Sequence, residues 1–305
     1  MEFRTLAEGL QFPEGPVALA DGSVLLVEIA SGALTRVMPD GTKTVAARPG
    51  GGPNGAAIGP DGKCYVANNG GFEWHREGGH IRPLTQARDY AGGRIERVDM
   101  ATGAVEVLYR ACGEVPLKGP NDLVFDANGG FYFTDLGKRR PRDMDIGALY
   151  YAKADGSFIT EVAYPMVTPN GVGLSPDGKT LYVAETEAAR LWAFRVEAPG
   201  VVQKEPWPSP HGGRLVAGMG GYQRFDSLAV QADGRICVAT LINGGITVIS
   251  PDGRHVEHHP MPDPMTTNIC FGGPDMKTAY ITLSWTGRLV AVDWPAAGLR
   301  LNDAA

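Results

Sequence analysis

Six side chains with oxygen ligands recur at equivalent places along the chain, each seven residues before the first residue of a predicted turn. Two of them are carboxylates, which could balance the charge of a divalent cation, and the other four are amides that offer neutral oxygens. Hard oxygen ligands of this kind suit Ca²⁺, Mg²⁺ or Mn²⁺, and suit Zn²⁺ or Fe²⁺ less obviously. The pattern predicts a cation site at one end of a channel if the fold brings together Glu14, Asn54, Asn121, Asn170, Asp226 and Asn268.

Each of these residues stands at the start of a repeated phrase that contains a short apolar run, a turn and a second apolar run. The turn is Asp-Gly in four of the six copies, and Asp-Gly supports the positive φ angles of a tight β-hairpin. A third apolar phrase follows every hairpin, such as GRIERV at 93–98, and some copies continue into a fourth. Six four-stranded antiparallel units predict an all-β fold, a six-bladed β-propeller forming a single domain over residues 1–305. Residues 1–8 are expected to pair with the last blade.

The composition fits this interpretation and argues against several classes of protein. The 42 Gly and 23 Pro residues are spread along the chain, as expected for many turns between short strands. A net charge of −6 gives no support for nucleic-acid binding. We also expect no membrane span, no signal peptide and buried free thiols at Cys64, Cys237 and Cys270, and therefore a cytoplasmic protein. Whether it is a monomer or a small homo-oligomer is left open.

The position of the six polar residues predicts a ring around one opening of the propeller. The first strand of a blade lies nearest the central axis, so equivalent residues at its start face the same end of the channel. Asn268 is the member of this set most readily explained as a turn former. A second set, at the ends of the second strands, should also approach this opening and includes Asn68.

Two long loops are expected to rise over this ring. The distance from the hairpin turn to the third strand is 32 residues in blade 2 and 19 in blade 3, against 11–12 in the other blades. Long loops in a compact domain often act as lids over functional sites. We expect substrate contacts from Asn54, Asn68, Asn121, Trp74, His75, Lys138 and Arg139, with His75 open to interpretation as a base or a surface residue.

Four phrases carry a resemblance that spans nearly the whole chain: FPEGPVA, GPNDLVFDANGGFYFTD, TPNGVGLSPDGKTLYVAET and FDSLAV, in this order. With this spacing the sequence resembles the senescence marker protein, gluconolactonase and luciferin-regenerating-enzyme family. The resemblance implies a six-bladed propeller with a divalent cation at the channel, calcium being the first candidate. It also implies hydrolysis of a small-molecule lactone, often a sugar lactone.

The resemblance also implies roles for individual residues. Glu14, Asn170 and Asp226 match the direct metal ligands, and Asn121 matches a fourth ligand or a substrate contact. Asp226 further matches the residue proposed as general base in sugar-lactone members. The chain has Gly119 where animal members have a sugar-binding Arg, and Ser227 where Gly commonly follows the Asp. Both departures point away from gluconolactone itself.

The predicted function is metal-assisted attack of water on a lactone carbonyl, with the water activated by the metal or by Asp226. A covalent serine mechanism is disfavoured because the chain has no GxSxG motif. Two alternatives use the same cation site: a phosphotriesterase-like hydrolase and a non-catalytic calcium-binding propeller.

Overall fold

The computed structural model describes residues 2–301, and all regular secondary structure in this range is β-strand. Six antiparallel sheets follow one another along the chain, five with four strands and one with five. The innermost strands of neighbouring sheets contact each other, and the last contacts the first, so the sheets form the blades of a closed propeller. This confirms the predicted six-bladed β-propeller. The described residues contain no helix that could cross a membrane.

The strands of each blade follow one another outwards from the channel. Blade 1 contains Pro13–Ala18, Val24–Glu28, Ala33–Val37 and Lys43–Ala47. Blade 2 contains Pro53–Ile58, Cys64–Asn68, Arg94–Val98 and Val105–Tyr109. Blade 3 contains Pro120–Phe125, Gly130–Asp135, Gly147–Lys153 and Ile159–Met166.

The remaining blades keep this order with two variations. Blade 4 contains Pro169–Leu174, Thr180–Glu185, Arg190–Ala198, and on its outer edge both Val201–Gln203 and Arg214–Gly218. Blade 5 contains Arg224–Val230, Ile236–Leu241, Gly245–Ile249 and Val256–Pro260. Blade 6 contains Thr266–Gly272, Thr278–Leu283, Arg288–Asp293 and, as its outermost strand, Phe3–Ala7. Two short hairpins lie outside the blades, Phe72–Glu77 with His80–Gln86 and Ala111–Cys112 with Val115–Pro116.

The N-terminal strand closes the ring. Phe3–Ala7 pairs antiparallel with Arg288–Asp293, the third strand of blade 6, with Phe3 opposite Val292. The last blade is therefore built from both ends of the described chain. The predicted closure by residues 1–8 is confirmed for the described part of that segment, and residue 1 lies outside it.

The hairpin turns are stabilised locally by the aspartates that mark them in the sequence. Asp21 accepts a hydrogen bond from the backbone N–H of Ser23 at 3.1 Å, and Asp177 accepts one from Lys179 at 3.1 Å. The residue after each Asp has positive φ, as at Gly178 with φ 68°. An Asx-turn followed by glycine is a low-strain way to reverse an extended chain.

Close approach of the innermost strands depends on small residues beside the predicted ring. Gly15, Gly55 and Gly171 each follow a ring residue, and each packs against the backbone of the next blade. A Cβ at Gly55 would lie 2.4 Å from the carbonyl oxygen of Asn121, and one at Gly171 would lie 2.6 Å from the amide nitrogen of Leu228. Neither position leaves room for a methyl group.

The hydrophobic core lies between the blades. One cluster joins Tyr132 and Leu149 of blade 3 to Val172 and Trp192 of blade 4, and similar clusters fill the other interfaces. Each blade therefore buries both faces against its neighbours. The channel end is left to the polar residues that begin the innermost strands.

Replacing Gly55 by Ala should destabilise the protein because the new methyl group meets backbone that cannot rotate away. We expect a loss of about 1–3 kcal/mol, the usual cost of overpacking a well-packed interior. Gly220→Ala is the matched control, since a Cβ there meets nothing within 4 Å and its φ is not positive. Urea unfolding of both variants tests this, and equal stabilities would contradict the close-approach argument.

Candidate functional site

Five of the six predicted ring residues line one cavity at the end of the channel. The cavity has a volume of about 550 Å³, and its inner end carries Glu14, Asn54, Asn121, Asn170 and Asp226. Each is a buried side chain near the start of the innermost strand of its blade. Asn268 does not line this cavity: its Nδ2 donates to Oε2 of Glu14 at 2.9 Å, so it orients that carboxyl.

Three carboxyl groups are buried near the channel axis without a basic partner. Burial raises the pKa of Glu14 to about 7, although hydrogen bonds from Asn268 and the Gly15 amide oppose the shift. Burial and the charge of Glu14 raise the pKa of Asp226 well above its usual range. The same two causes raise the pKa of Asp122 to about 7. None of the ion pairs within residues 2–301 involves these groups, so the site has a demand for positive charge.

The amide oxygens at the inner end of the cavity differ in the hydrogen bonds that they accept from the protein. Oδ1 of Asn121 is buried and has no hydrogen-bond partner. Oδ1 of Asn170 accepts only a long bond from Ser227 at 3.4 Å, while its Nδ2 donates to Thr186 at 3.1 Å. Oδ1 of Asn54, in contrast, accepts from Asn69 at 3.0 Å. Asn121 and Asn170 therefore present oxygens that are available to a ligand.

These observations fit a hard divalent cation. Two buried carboxyls and two underused amide oxygens supply charge and donors of the type that Ca²⁺ prefers. No three His, Cys, Asp or Glu side chains within residues 2–301 are arranged to hold a metal ion by themselves. A cation here would therefore need the amide oxygens as well as Glu14 and Asp226.

Three residues that line the cavity have strained backbone conformations. Phe12, Thr168 and Ile242 have φ of 59°, 51° and 73°, a region that residues other than glycine rarely occupy. Phe12 and Thr168 each stand two residues before a ring residue, where the chain turns into the innermost strand. Strain of this kind persists only where surrounding packing enforces it, and it is concentrated at functional sites.

The blade 2 insertion forms a fixed wall of the cavity. Its hairpin, Phe72–Glu77 with His80–Gln86, is joined to blade 6 by a bond from the Ile81 amide to the Trp285 carbonyl. It is joined to the blade 3 loop by a bond from the Gln86 amide to the Arg139 carbonyl at 2.8 Å. The wall is thus held on two sides, and Phe72 faces the cavity.

The predicted substrate contacts divide into two groups. Asn54, Asn121, Lys138 and Arg139 line the cavity. Trp74 does not line it but packs behind it, with its ring 5.2 Å from that of Phe12 and 5.9 Å from that of Phe72.

His75 and Asn68 do not reach the cavity either. His75 contacts Glu77 at 3.1 Å on the outer surface, which favours the surface interpretation over a catalytic base. Asn68 corrects the expectation for the ends of the second strands. Its buried amide accepts from the Gly52 and Gly70 amides and donates to the Gly50 carbonyl and to Glu96, so it holds blade 2 together.

Lys138 fastens the blade 3 loop to the blade 2 insertion. Its buried Nζ donates to the Asn69 carbonyl at 2.9 Å and to the Gly71 carbonyl at 2.7 Å, and lies 3.9 Å from the centre of the Phe72 ring. Burial lowers the pKa of Lys138 to about 7, and the nearby Asp135 and Asp145 oppose this shift. A third contact, to Oδ1 of Asn69 at 3.2 Å, leaves no donor of this ammonium for a ligand.

Sequence reasoning missed Arg224 and Glu187, which both line the cavity. Nη2 of Arg224 lies 2.9 Å from Oε2 of Glu187, which joins blade 5 to blade 4. Arg224 stands two residues before Asp226, a spacing that puts two strand residues on one face. The two-residue offset from Asp226 could have been recognised in the sequence, whereas the ion pair with Glu187 can be recognised only in the folded structure.

Comparison with known proteins gives one family. A model described as "SMP-30/Gluconolactonase/LRE-like region" matches residues 12–284. A lactonase, drp35, of Staphylococcus haemolyticus is 31% identical over 84% of this chain and 71% of its own length. A gluconolactonase of Zymomonas mobilis is 25% identical over 92% of this chain and 78% of its own length. The structure of regucalcin from Agrobacterium tumefaciens, described as a calcium-binding protein, matches with a TM-score of 0.75 and 21% identity over 98% of both chains.

Removing the Lys138 ammonium should loosen the wall of the cavity. Lys138→Met keeps most of the apolar stem but leaves two buried carbonyls without their donor, at a cost of about 3 kcal/mol. Lys277→Met, at an exposed position of blade 6, is the control and should be neutral. Thermal unfolding measures the loss, and hydrogen exchange should quicken in residues 69–90. Unchanged exchange in that segment would show that Lys138 does not hold it.

Proposed function

The chain belongs to the SMP-30/gluconolactonase/LRE-like family, and we propose that it is a divalent-cation-dependent hydrolase that opens a small lactone. The observation that carries this proposal is the pair of buried, unpaired carboxyls, Glu14 and Asp226, beside the partnerless Oδ1 of Asn121 in an open cavity. The relatives named as lactonases support the reaction type.

Four residues would hold the cation: Glu14, Asn121, Asn170 and Asp226. Their donors are all oxygens, which favours Ca²⁺ and allows Mg²⁺ or Mn²⁺. When bound, the cation would supply Lewis-acid polarisation of the lactone carbonyl and would neutralise the charge that develops on its oxygen. Proton transfer and positioning of the substrate would be carried out by residues of the chain.

Asp226 is the proposed general base. Its buried carboxyl lines the inner end of the cavity, where it can accept a proton from a water that attacks a bound carbonyl. It accepts a proton from water as the water oxygen bonds to the carbonyl carbon. Collapse of the tetrahedral intermediate then breaks the ring C–O bond. The departing alkoxide takes the proton back from Asp226, which yields the hydroxy acid and restores the carboxylate.

The surroundings of Asp226 support this role. Its carboxyl is buried at the inner end of the cavity, and the hydroxyl of the next residue, Ser227, donates to Oδ1 of Asn170 at 3.4 Å. A cavity of about 550 Å³ accommodates a small lactone. Asn54, whose amide is held by Asn69 and the Asn121 carbonyl, is positioned to contact the substrate.

Replacing the proposed base should abolish most of the activity. We expect Asp226→Asn to lower kcat for lactone opening by about 10²–10⁴-fold, the usual contribution of general-base catalysis. Asp252→Asn, at an exposed hairpin turn of blade 5, is the control. A pH-stat assay of a lactone panel with added Ca²⁺, Mg²⁺ or Mn²⁺ measures both. No opening of any lactone with any of these ions, or an unchanged rate for Asp226→Asn, would refute the proposal.

The raised pKa of Glu14 predicts how stability depends on pH and on the cation. Its folded pKa of about 7 exceeds the unfolded value of 4.5, so the folded state holds a proton that the unfolded state loses first. The contribution of Glu14 to stability is therefore present below pH 4.5 and is lost as pH rises through 7. A bound cation replaces that proton. We expect the thermal midpoint of the metal-free protein to fall between pH 5 and pH 8, and added Ca²⁺ to raise it more at pH 8.

Glu14→Gln provides the comparison for this experiment. The amide does not titrate, so the variant should lose the share of the pH-dependent Ca²⁺ effect that Glu14 contributes, while Asp122 and Asp226 keep theirs, and it should bind Ca²⁺ less tightly. Calorimetric titration in two buffers of different ionisation enthalpy counts the protons released on binding. An equal Ca²⁺ effect at both pH values in the wild type, with no proton release, would contradict the assignment of Glu14.

A further inference from the structure

The mouth of the cavity carries an excess of positive charge. Arg82, Arg139 and Arg224 all line it, and Glu187 is the one acid that pairs with them in residues 2–301. Glu187 lies 2.9 Å from Nη2 of Arg224 and 3.4 Å from Nη1 of Arg139. Asp145, also in the lining, is held by Arg140 at 3.0 Å. Two guanidinium groups thus share one carboxylate, and the third, that of Arg82, is in none of the ion pairs of residues 2–301, on a protein whose net charge is −6.

Arg224 is placed to meet a molecule that reacts at Asp226. It precedes Asp226 by two residues in the strand Arg224–Val230, which corresponds to about 7 Å of extended chain. Its side chain is 27% exposed and lies over the ring of Tyr222 at 5.8 Å, so it is partly fixed and still reachable. It is the one charged residue among the six equivalent positions, which are Phe12, Gly52, Gly119, Thr168, Arg224 and Thr266.

The walls between the mouth and the ring are largely apolar. Phe12, Phe72, Leu84, Ile242 and Met265 face the cavity and offer no side-chain hydrogen bonds. A substrate with many hydroxyls would lose hydrogen bonds to water on entering and regain few of them. An apolar body would instead be favoured by its contact with these side chains.

We infer that the substrate is a lactone that carries a carboxylate on an apolar body, and that Arg224 is a specificity-determining residue that binds this carboxylate. The inference rests on the proposed lactone hydrolysis. A guanidinium presents two parallel donors that match a carboxylate. Glu187 satisfies Arg224 when no ligand is bound, and this pair is partly exposed, with 32% of the Glu187 side chain accessible. Exposed ion pairs are weak, so a ligand carboxylate can take up the free donors or replace Glu187.

The experiment compares two lactones of similar shape. One is γ-heptalactone, and the other is its analogue in which the terminal methyl is replaced by a carboxylate. The Ca²⁺-saturated wild type should have the higher kcat/KM for the carboxylate lactone. Arg224→Gln should lower that value roughly 10- to 100-fold, the loss of a charge-assisted hydrogen bond, mainly through KM. Its kcat/KM for γ-heptalactone should stay within about twofold, since that lactone makes no ion pair.

Two further variants separate binding from structural effects. Arg224→Lys keeps the positive charge but not the two parallel donors of the guanidinium. Its kcat/KM for the carboxylate lactone should therefore fall less than that of Arg224→Gln. Arg88→Gln, an exposed arginine outside the cavity that pairs with Glu73, should affect neither lactone. Equal losses of Arg224→Gln on both lactones would reveal a structural role and overturn the inference.

The outcomes distinguish this inference from the proposed function. A wild type that opens γ-heptalactone at least as well as the carboxylate lactone overturns the inference and leaves the lactonase proposal standing. A wild type that opens neither of them, and no other lactone of the panel, refutes the lactonase proposal. Calorimetric titration with glutarate then tests the anion site by itself: binding that Arg224→Gln weakens roughly 10- to 100-fold supports it, and equal or undetectable binding in both proteins overturns it.

Discussion

The structure depends on the close approach of six innermost strands around one axis. At three of the six contacts between these strands, Gly15, Gly55 and Gly171 leave no side chain between neighbouring backbones. The polar residue that precedes each glycine is thereby carried to the end of the channel, where it meets its equivalents from other blades. A propeller with a wider ring would have the same residues at the same positions but would leave them too far apart to act together. The packing of small residues therefore decides the chemistry at the cavity.

The convergence of the innermost strands buries carboxyl groups near one another, and no Lys or Arg side chain of residues 2–301 forms an ion pair with them. Burial raises the pKa of Glu14, Asp122 and Asp226, and the charge of Glu14 adds to the shift at Asp122 and Asp226. The buried ammonium of Lys138 is committed elsewhere, since its three donors are used by Asn69 and Gly71. Without an external cation, the energetically cheaper state is one in which some of these carboxyls hold protons. Protonation of these carboxyls and binding of a cation are therefore alternative ways to reduce the same unfavourable burial of negative charge.

Much of the fold and of the site could be predicted from the sequence because residues at the same offset in each repeat occupy equivalent positions in the blades. A fixed offset of seven residues from an Asx-turn locates the start of the innermost strand in every blade, so Glu14 and Asp226 could be placed together without a structure. For Asn68 the structure shows a different environment, since the end of a second strand lies farther from the axis and the amide is hydrogen-bonded to the loop at Gly50 and Gly52. Positions within a blade could be predicted from the spacing of the repeat, whereas contacts between side chains of different blades could not. The pairing of Arg224 with Glu187 joins two blades through side chains of different length, and no periodicity encodes it.

The division between the inner end and the mouth of the cavity follows from where each kind of residue sits on the blades. Residues at the start of an innermost strand are held by two neighbouring blades, so their geometry changes little and suits a reaction that needs fixed oxygens. Residues two positions earlier, such as Phe12, Thr168 and Arg224, lie where the chain enters the innermost strand, and two of the three have strained backbones. Substitutions there are expected to alter the shape and charge of the mouth, since these residues line the cavity. A single propeller can therefore keep one reaction at the ring of oxygens while the entrance residues determine which molecule reaches it.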